Sequence, residues 1–123
     1  MERQINVGLM VCGSNASNTG ALTAIAPLRI IKKHKNVGIL SLPSLVNKVP
    51  RQTLLMKKLK KIIVVDGCQN EYAKKILENL GIKYDVYINL LYDLSIKKRG
   101  PFTTLKYSEN EIDLIVKKIE KEL

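Results

Sequence analysis

Two cysteines, Cys12 and Cys68, are all that the 123 residues contain. A secreted scaffold stapled by disulfides needs more, so the expected compartment is the reducing cytoplasm. Long hydrophobic runs are missing too. The strictly apolar stretches last a few residues, far short of the ~20 that a bilayer-spanning helix requires, and Met1 to Gln4 carry one acid and one base rather than a secretory leader. Neither an anchor nor a membrane partner is expected. Low-complexity tracts, internal repeats and Pro/Gly linkers are also lacking, which argues against general disorder. What is present, 46% hydrophobic and 26% charged residues, is a globular balance. A chain of this length buries roughly two-thirds of its unfolded surface in one core. A single domain over 1–123 is the expectation, and a multidomain enzyme is excluded.

The net charge of +10 raises the question of a polyanion partner. The excess is spread along the chain: +4 over residues 1–40, +5 over 41–70, +3 over 71–107 and −2 over 108–123. Its densest part, around Lys57, Lys58, Lys60 and Lys61, has no aromatic residue on which a base could stack, and no nucleic-acid motif accompanies it. A solvated lysine face is the preferred reading, and a nucleic-acid partner is not expected.

Short runs rich in Ile and Val recur at Ile5–Val11, Val37–Leu42, Ile62–Val65 and Val86–Leu91. Uninterrupted runs of this kind suit parallel strands covered on both faces. Between the last two, Ala73, Ile76, Leu77 and Leu80 form one apolar helical stripe that stops at Gly81. At the C-terminus Ser108 and Glu111 have capping-box spacing, ahead of Ile112, Ile115, Val116, Ile119 and Leu123 on one face. The first crossover carries Pro27 inside its apolar pattern, so a defect is expected there. Leu54, Leu55 and Leu59 suggest a short helix between Pro50 and the third strand. Residues 92–107 read as a surface loop with a short extra strand over 102–107. The pattern predicts an α/β fold: a three-layer open parallel sheet of order 2-1-3-4 with helices on both faces.

In such sheets ligands bind beyond the carboxyl ends of the strands. There the first strand delivers Cys12-Gly13-Ser14-Asn15, the second Ser41-Leu42-Pro43, and the third Asp66-Gly67-Cys68. Both cysteines should therefore meet at one edge. The one histidine, His34, belongs at the other end of the first helix, some 20 Å away at ~1.5 Å per residue, and is a poor ligand candidate.

The chain resembles the DGC-domain proteins, a family to which zinc binding is ascribed. The likeness rests on Val11-Cys12-Gly13 with Asn18-Thr19-Gly20, on Ile63-Val64-Val65-Asp66-Gly67-Cys68, and on Ala73-Lys74-Lys75 and Leu80-Gly81-Ile82, over about residues 5 to 90. The resemblance implies four cysteines: one after strand one, one after strand two, the one in Asp-Gly-Cys and one four residues later. Cys12 and Cys68 match, whereas Ser41 and Tyr72 stand at the other two positions. Structural zinc takes four thiolate or imidazole ligands in a tetrahedron, and neither a hydroxyl nor a neutral phenol competes well with water for such a place. A four-thiolate site cannot form. A two-thiolate zinc site completed by Asp66, Glu71, water or a partner chain stays open.

Three other readings compete. The cysteines are inert buried fillers; or they form a redox pair, with Cys68 ahead of a helix N-terminus that lowers its thiol pKa; or the first loop binds a small anion through Gly13, Ser14, Asn15, Asn18, Thr19 and Gly20. A cysteine loop entering a helix is similar to that of the low-molecular-weight tyrosine phosphatases. There an arginine six positions on clamps the phosphate; here Asn18 stands in that place and no Asp-Pro acid loop follows, so phosphatase chemistry is not expected. No complete catalytic constellation is present. The expectation is a DGC-like metal or thiol site of reduced ligand number, or else a non-catalytic module that binds an anion or a protein. A homo-oligomer remains open.

Overall fold

The computed structural model describes residues 4–123; residues 1–3, with most of the Met1 to Gln4 segment, lie outside it. The chain runs β1 (Val7–Val11), α1 (Asn18–Lys33), β2 (Val37–Ile39), α2 (Leu42–Val46), α3 (Pro50–Lys57), β3 (Lys61–Asp66), α4 (Tyr72–Asn79), β4 (Val86–Asn89), α5 (Leu90–Leu94) and α6 (Glu109–Glu120). The four strands are all parallel in the order β2-β1-β3-β4, as the alternation of strand and helix predicts. Register sets Val11 beside Val65, so the two cysteine-bearing turns leave neighbouring strands at the same edge.

The central strand β3 divides its side chains between two cores. Ile63 and Val65 pack with Leu9, Leu22, Ala26, Ile30, Ile112 and Ile115 beneath α1 and α6. Ile62 and Val64 pack with Met10, Leu45, Met56, Ala73 and Leu77 beneath α2, α3 and α4. Alternation in a pleated strand feeds both faces, which is why the run shows no polar position.

Local rules set most of the element ends. Gly81 takes φ +68 and closes α4 in a Schellman motif, with Ile82 N–H on the Leu77 carbonyl and Gly81 N–H on that of Glu78. Ser108 and Glu111 cap α6 reciprocally. The helix α1 carries Pro27 within its span as expected, the ring buried and its missing N–H the defect in the helical ladder. Two expectations need correction. The outer strands stop early because Ser41 and Asn89 cap the helices that follow them. No strand forms over 102–107; part of the expected loop is the helix α5, and the remainder is coil and turn. In α3 the inward residues are Gln52 and Met56, while Leu54 and Leu55 face solvent.

A thiol-lined cleft at the strand ends

Beyond β1 the chain turns back over the start of α1. Gly13 adopts φ +63 and its N–H donates to Thr23 Oγ1 at 2.9 Å. Gly20 is where loop and helix meet most closely: a Cβ there would lie 1.5 Å from the Ser14 carbonyl oxygen. Only glycine permits this approach. Ser17 caps the helix through its hydroxyl, which accepts from Gly20 N–H. Cys12 N–H donates to the Val65 carbonyl at 3.0 Å, so Cys12 stands beside the start of the Asp66-Gly67-Cys68 turn.

That turn is held by buried polar bonds. The Asp66 carboxylate, 1% exposed, accepts from Ala73 N–H at 2.9 Å, Lys74 N–H at 3.0 Å and the Tyr87 hydroxyl at 3.1 Å. It serves as the cap of α4 that Glu71, left-handed at φ +51 and without a capping bond, does not provide. Asn89 donates to the Cys68 carbonyl at 2.9 Å and to the Tyr87 oxygen at 3.0 Å, and its own oxygen caps α5. Burial pushes the Tyr87 phenol far above its usual range and the Asp66 charge adds to this, which keeps the proton on the oxygen that donates to Asp66.

Between the two turns lies a cleft of about 130 Å³ lined by Cys12, Ser14, Ser17, Thr19, Cys68 and Tyr72, together with Ala16, Gly20, Gly67 and Lys98. The cysteines are both free, Cys68 buried and Cys12 half-buried. Burial, the main cause, pushes the Cys12 thiol above its usual value, and Asp66 and Cys68 add to this against the opposing pull of the Ser14 backbone and Lys98. Lys98 had no signature in the sequence. It reaches the cleft because Asn18, fully buried, donates to the Lys97 carbonyl at 3.0 Å and accepts from Arg99 N–H at 2.8 Å, bonds that span about eighty residues.

The remaining candidate residues are placed as follows. Asn18 is spent on this latch, Gly13 N–H on Thr23, and Gly20 N–H on Ser17, so three of the proposed anion donors are engaged internally. Asn15 is exposed, with its carbonyl accepting from Thr104. Glu71 pairs with Lys74 at 3.5 Å. Ser41 shares the sheet edge but does not line the cleft, its hydroxyl bonding Ser44. Tyr72 lines it from the first turn of α4. His34 bonds Glu120 at 2.8 Å at the opposite end of α1. Among the described residues no three His, Cys, Asp or Glu side chains are grouped so as to hold a metal ion. The donor set therefore does not fit a resident tetrahedral zinc: two thiols line the cleft with no carboxylate among its lining residues, and the Asp66 carboxylate is already bonded by Ala73 and Lys74 N–H and the Tyr87 hydroxyl.

A family model described as the DGC domain matches residues 8–119, nearly the whole described chain. No curated protein and no solved structure is significantly similar to it. No helix among the described residues is long and apolar enough to cross a membrane.

Proposed function

This chain belongs to the DGC-domain family, and from that premise we propose that it is a non-catalytic thiol-site protein whose strand-end cleft takes a soft metal ion between Cys12 and Cys68. The observation that carries this reading is the shared cleft itself: two free cysteines, far apart in sequence, line one small cavity at the edge where parallel sheets bind ligands. Zinc favours four ligands, whereas soft thiolate pairs suit ions such as Cu(I). The anion reading has less support, because the best donors of the first loop are committed within the fold.

The test is metal analysis of the chain purified without a histidine tag, followed by competition between zinc and Cu(I). The expected outcome is zinc well below one per chain after dialysis against chelator, about one Cu(I) bound, and loss of that Cu(I) in Cys12→Ser and in Cys68→Ser. Retention of one zinc per chain, or retention of Cu(I) by both variants, would refute the proposal. The missing-ligand idea also becomes specific to position. Tyr72→Cys, which adds a thiol to the lining, should raise retained zinc more than Ser41→Cys, which lies outside it. Equal gains from both would place the metal elsewhere.

A further inference from the structure

From Arg3 to Val65 the chain has no Asp or Glu, a run of 63 residues. Within it, Lys48, Arg51, Lys57, Lys58 and Lys60 are exposed around α2 and α3, and among the described residues none of the five has a carboxylate partner. The same surface carries apolar side chains. Val46, Val49, Leu54 and Leu55 are between 41% and 59% exposed, the two leucines because α3 turns only Gln52 and Met56 to the core. Beside α3 opens a mostly apolar groove of about 480 Å³, lined by Met56, Ile62, Leu80 and Ile82 with Lys57 and Lys83.

We infer that the α2–α3 face is a docking surface for an anionic lipid bilayer. The chemistry of the face selects this occupant. Cations without carboxylate partners complement the charge of anionic headgroups, and the exposed Val46, Val49, Leu54 and Leu55 beside them add apolar area that gains by dipping past the headgroups. Nucleic acid fits less well, since residues 42–61 contain no aromatic side chain for a base to stack on. A protein partner fits less well for a related reason: protein interfaces favour aromatics and are depleted in lysine, and this face has the reverse composition. The segment rests on the surface without spanning it, in keeping with the absence of a crossing helix among the described residues. The inference is independent of the thiol cleft, which none of these residues lines.

Flotation of the full chain with vesicles tests it. The comparison is between phosphatidylcholine alone and phosphatidylcholine with about a third phosphatidylserine, at about 0.1 M salt. Binding is expected to the serine-containing vesicles only, with most of it released at about 0.5 M salt. Lys57→Ala and Lys58→Ala should each weaken binding about fivefold, and Leu54→Ser with Leu55→Ser about tenfold. Lys117→Ala on α6 should leave it unchanged. Because the substituted side chains are exposed, far-UV circular dichroism and melting should match the wild type. Failure to bind at low salt, equal binding to neutral vesicles, full binding by the double leucine variant, or an equal loss in Lys117→Ala would each overturn the inference. So would tight binding to single-stranded RNA, or dimerisation through this face, in the absence of vesicle binding.

Discussion

Asp66 illustrates how a residue with metal-ligating chemistry can be consumed by structure. Its position after an Ile/Val strand and before Cys68 suggests a ligand, yet both oxygens accept hydrogen bonds, two from the start of α4 and one from Tyr87. The helix needs this, because Glu71 offers no capping bond. Asp66→Ala should therefore destabilise the fold by roughly 2–4 kcal/mol, the combined effect of a lost cap and of buried donors left unpaired. Asp66→Asn, which keeps one acceptor oxygen, should cost about half as much. Urea denaturation of the two variants distinguishes this from a ligand role: if both melt like the wild type while metal content falls, Asp66 is a ligand and not a cap.

At the scale of elements, what could be read from the sequence was what depends on near neighbours. The stripe Ala73, Leu77 with Gly81 behind it, the Ser108–Glu111 box and the Ile/Val runs are local signals with a direct physical cause, and each appears as an element. The convergence of the two cysteine turns followed from sheet topology alone. Residues 95–107 could not be read in this way. Their path is set by Asn18, which looks like an ordinary helix-start asparagine and in fact holds Lys97, Arg99 and Thr103 from the far end of the chain. Leu54 and Leu55 do mark the short helix that the sequence suggests, but not which of its faces is inward, since it is Gln52 and Met56 that this helix buries. Asn18→Ala removes the latch, so trypsin should cut faster at Lys97, Lys98 and Arg99, with a loss of roughly 2–3 kcal/mol in global stability. Unchanged cleavage at those bonds would mean that other contacts hold the loop.

Over the whole molecule, the chain's charge asymmetry is partly resolved by pairing across it. Ten of the eleven acids lie at or beyond Asp66, and those of α6 reach back to the basic first half: Glu109 to Arg29 at 2.7 Å, and Glu120 to Lys33 at 3.0 Å and to His34 at 2.8 Å. Glu111 pairs with Arg99 at 3.0 Å. Each of these carboxyls is held below its usual range, Glu109 by the Arg29 hydrogen bond, Glu120 by those of His34 and Lys33, and Glu111 by Arg99 and Ser108 against the upward push of burial. For a depressed carboxyl the unfolded state binds protons first, so the stabilisation is complete above the ordinary value of about 4.3 and is lost as pH falls through the folded value. The opposite sign holds at the alkaline end. The Cys12 thiol is raised by burial, so its contribution is complete below the ordinary thiol value of about 8.5 and is lost as pH climbs through the folded one. Thermal melts should show a plateau from about pH 5 to about pH 8, with a fall on either side. Glu111→Gln should make the acid limb shallower, since Glu109 and Glu120 still contribute, and Cys12→Ser should delay the start of the alkaline fall, which the raised Tyr87 phenol continues above the ordinary phenol value of about 10; each substitution leaves the other limb in place. An acid limb of unchanged slope after replacing Glu109, Glu111 and Glu120 by Gln would show that the α6 pairs do not set acid stability.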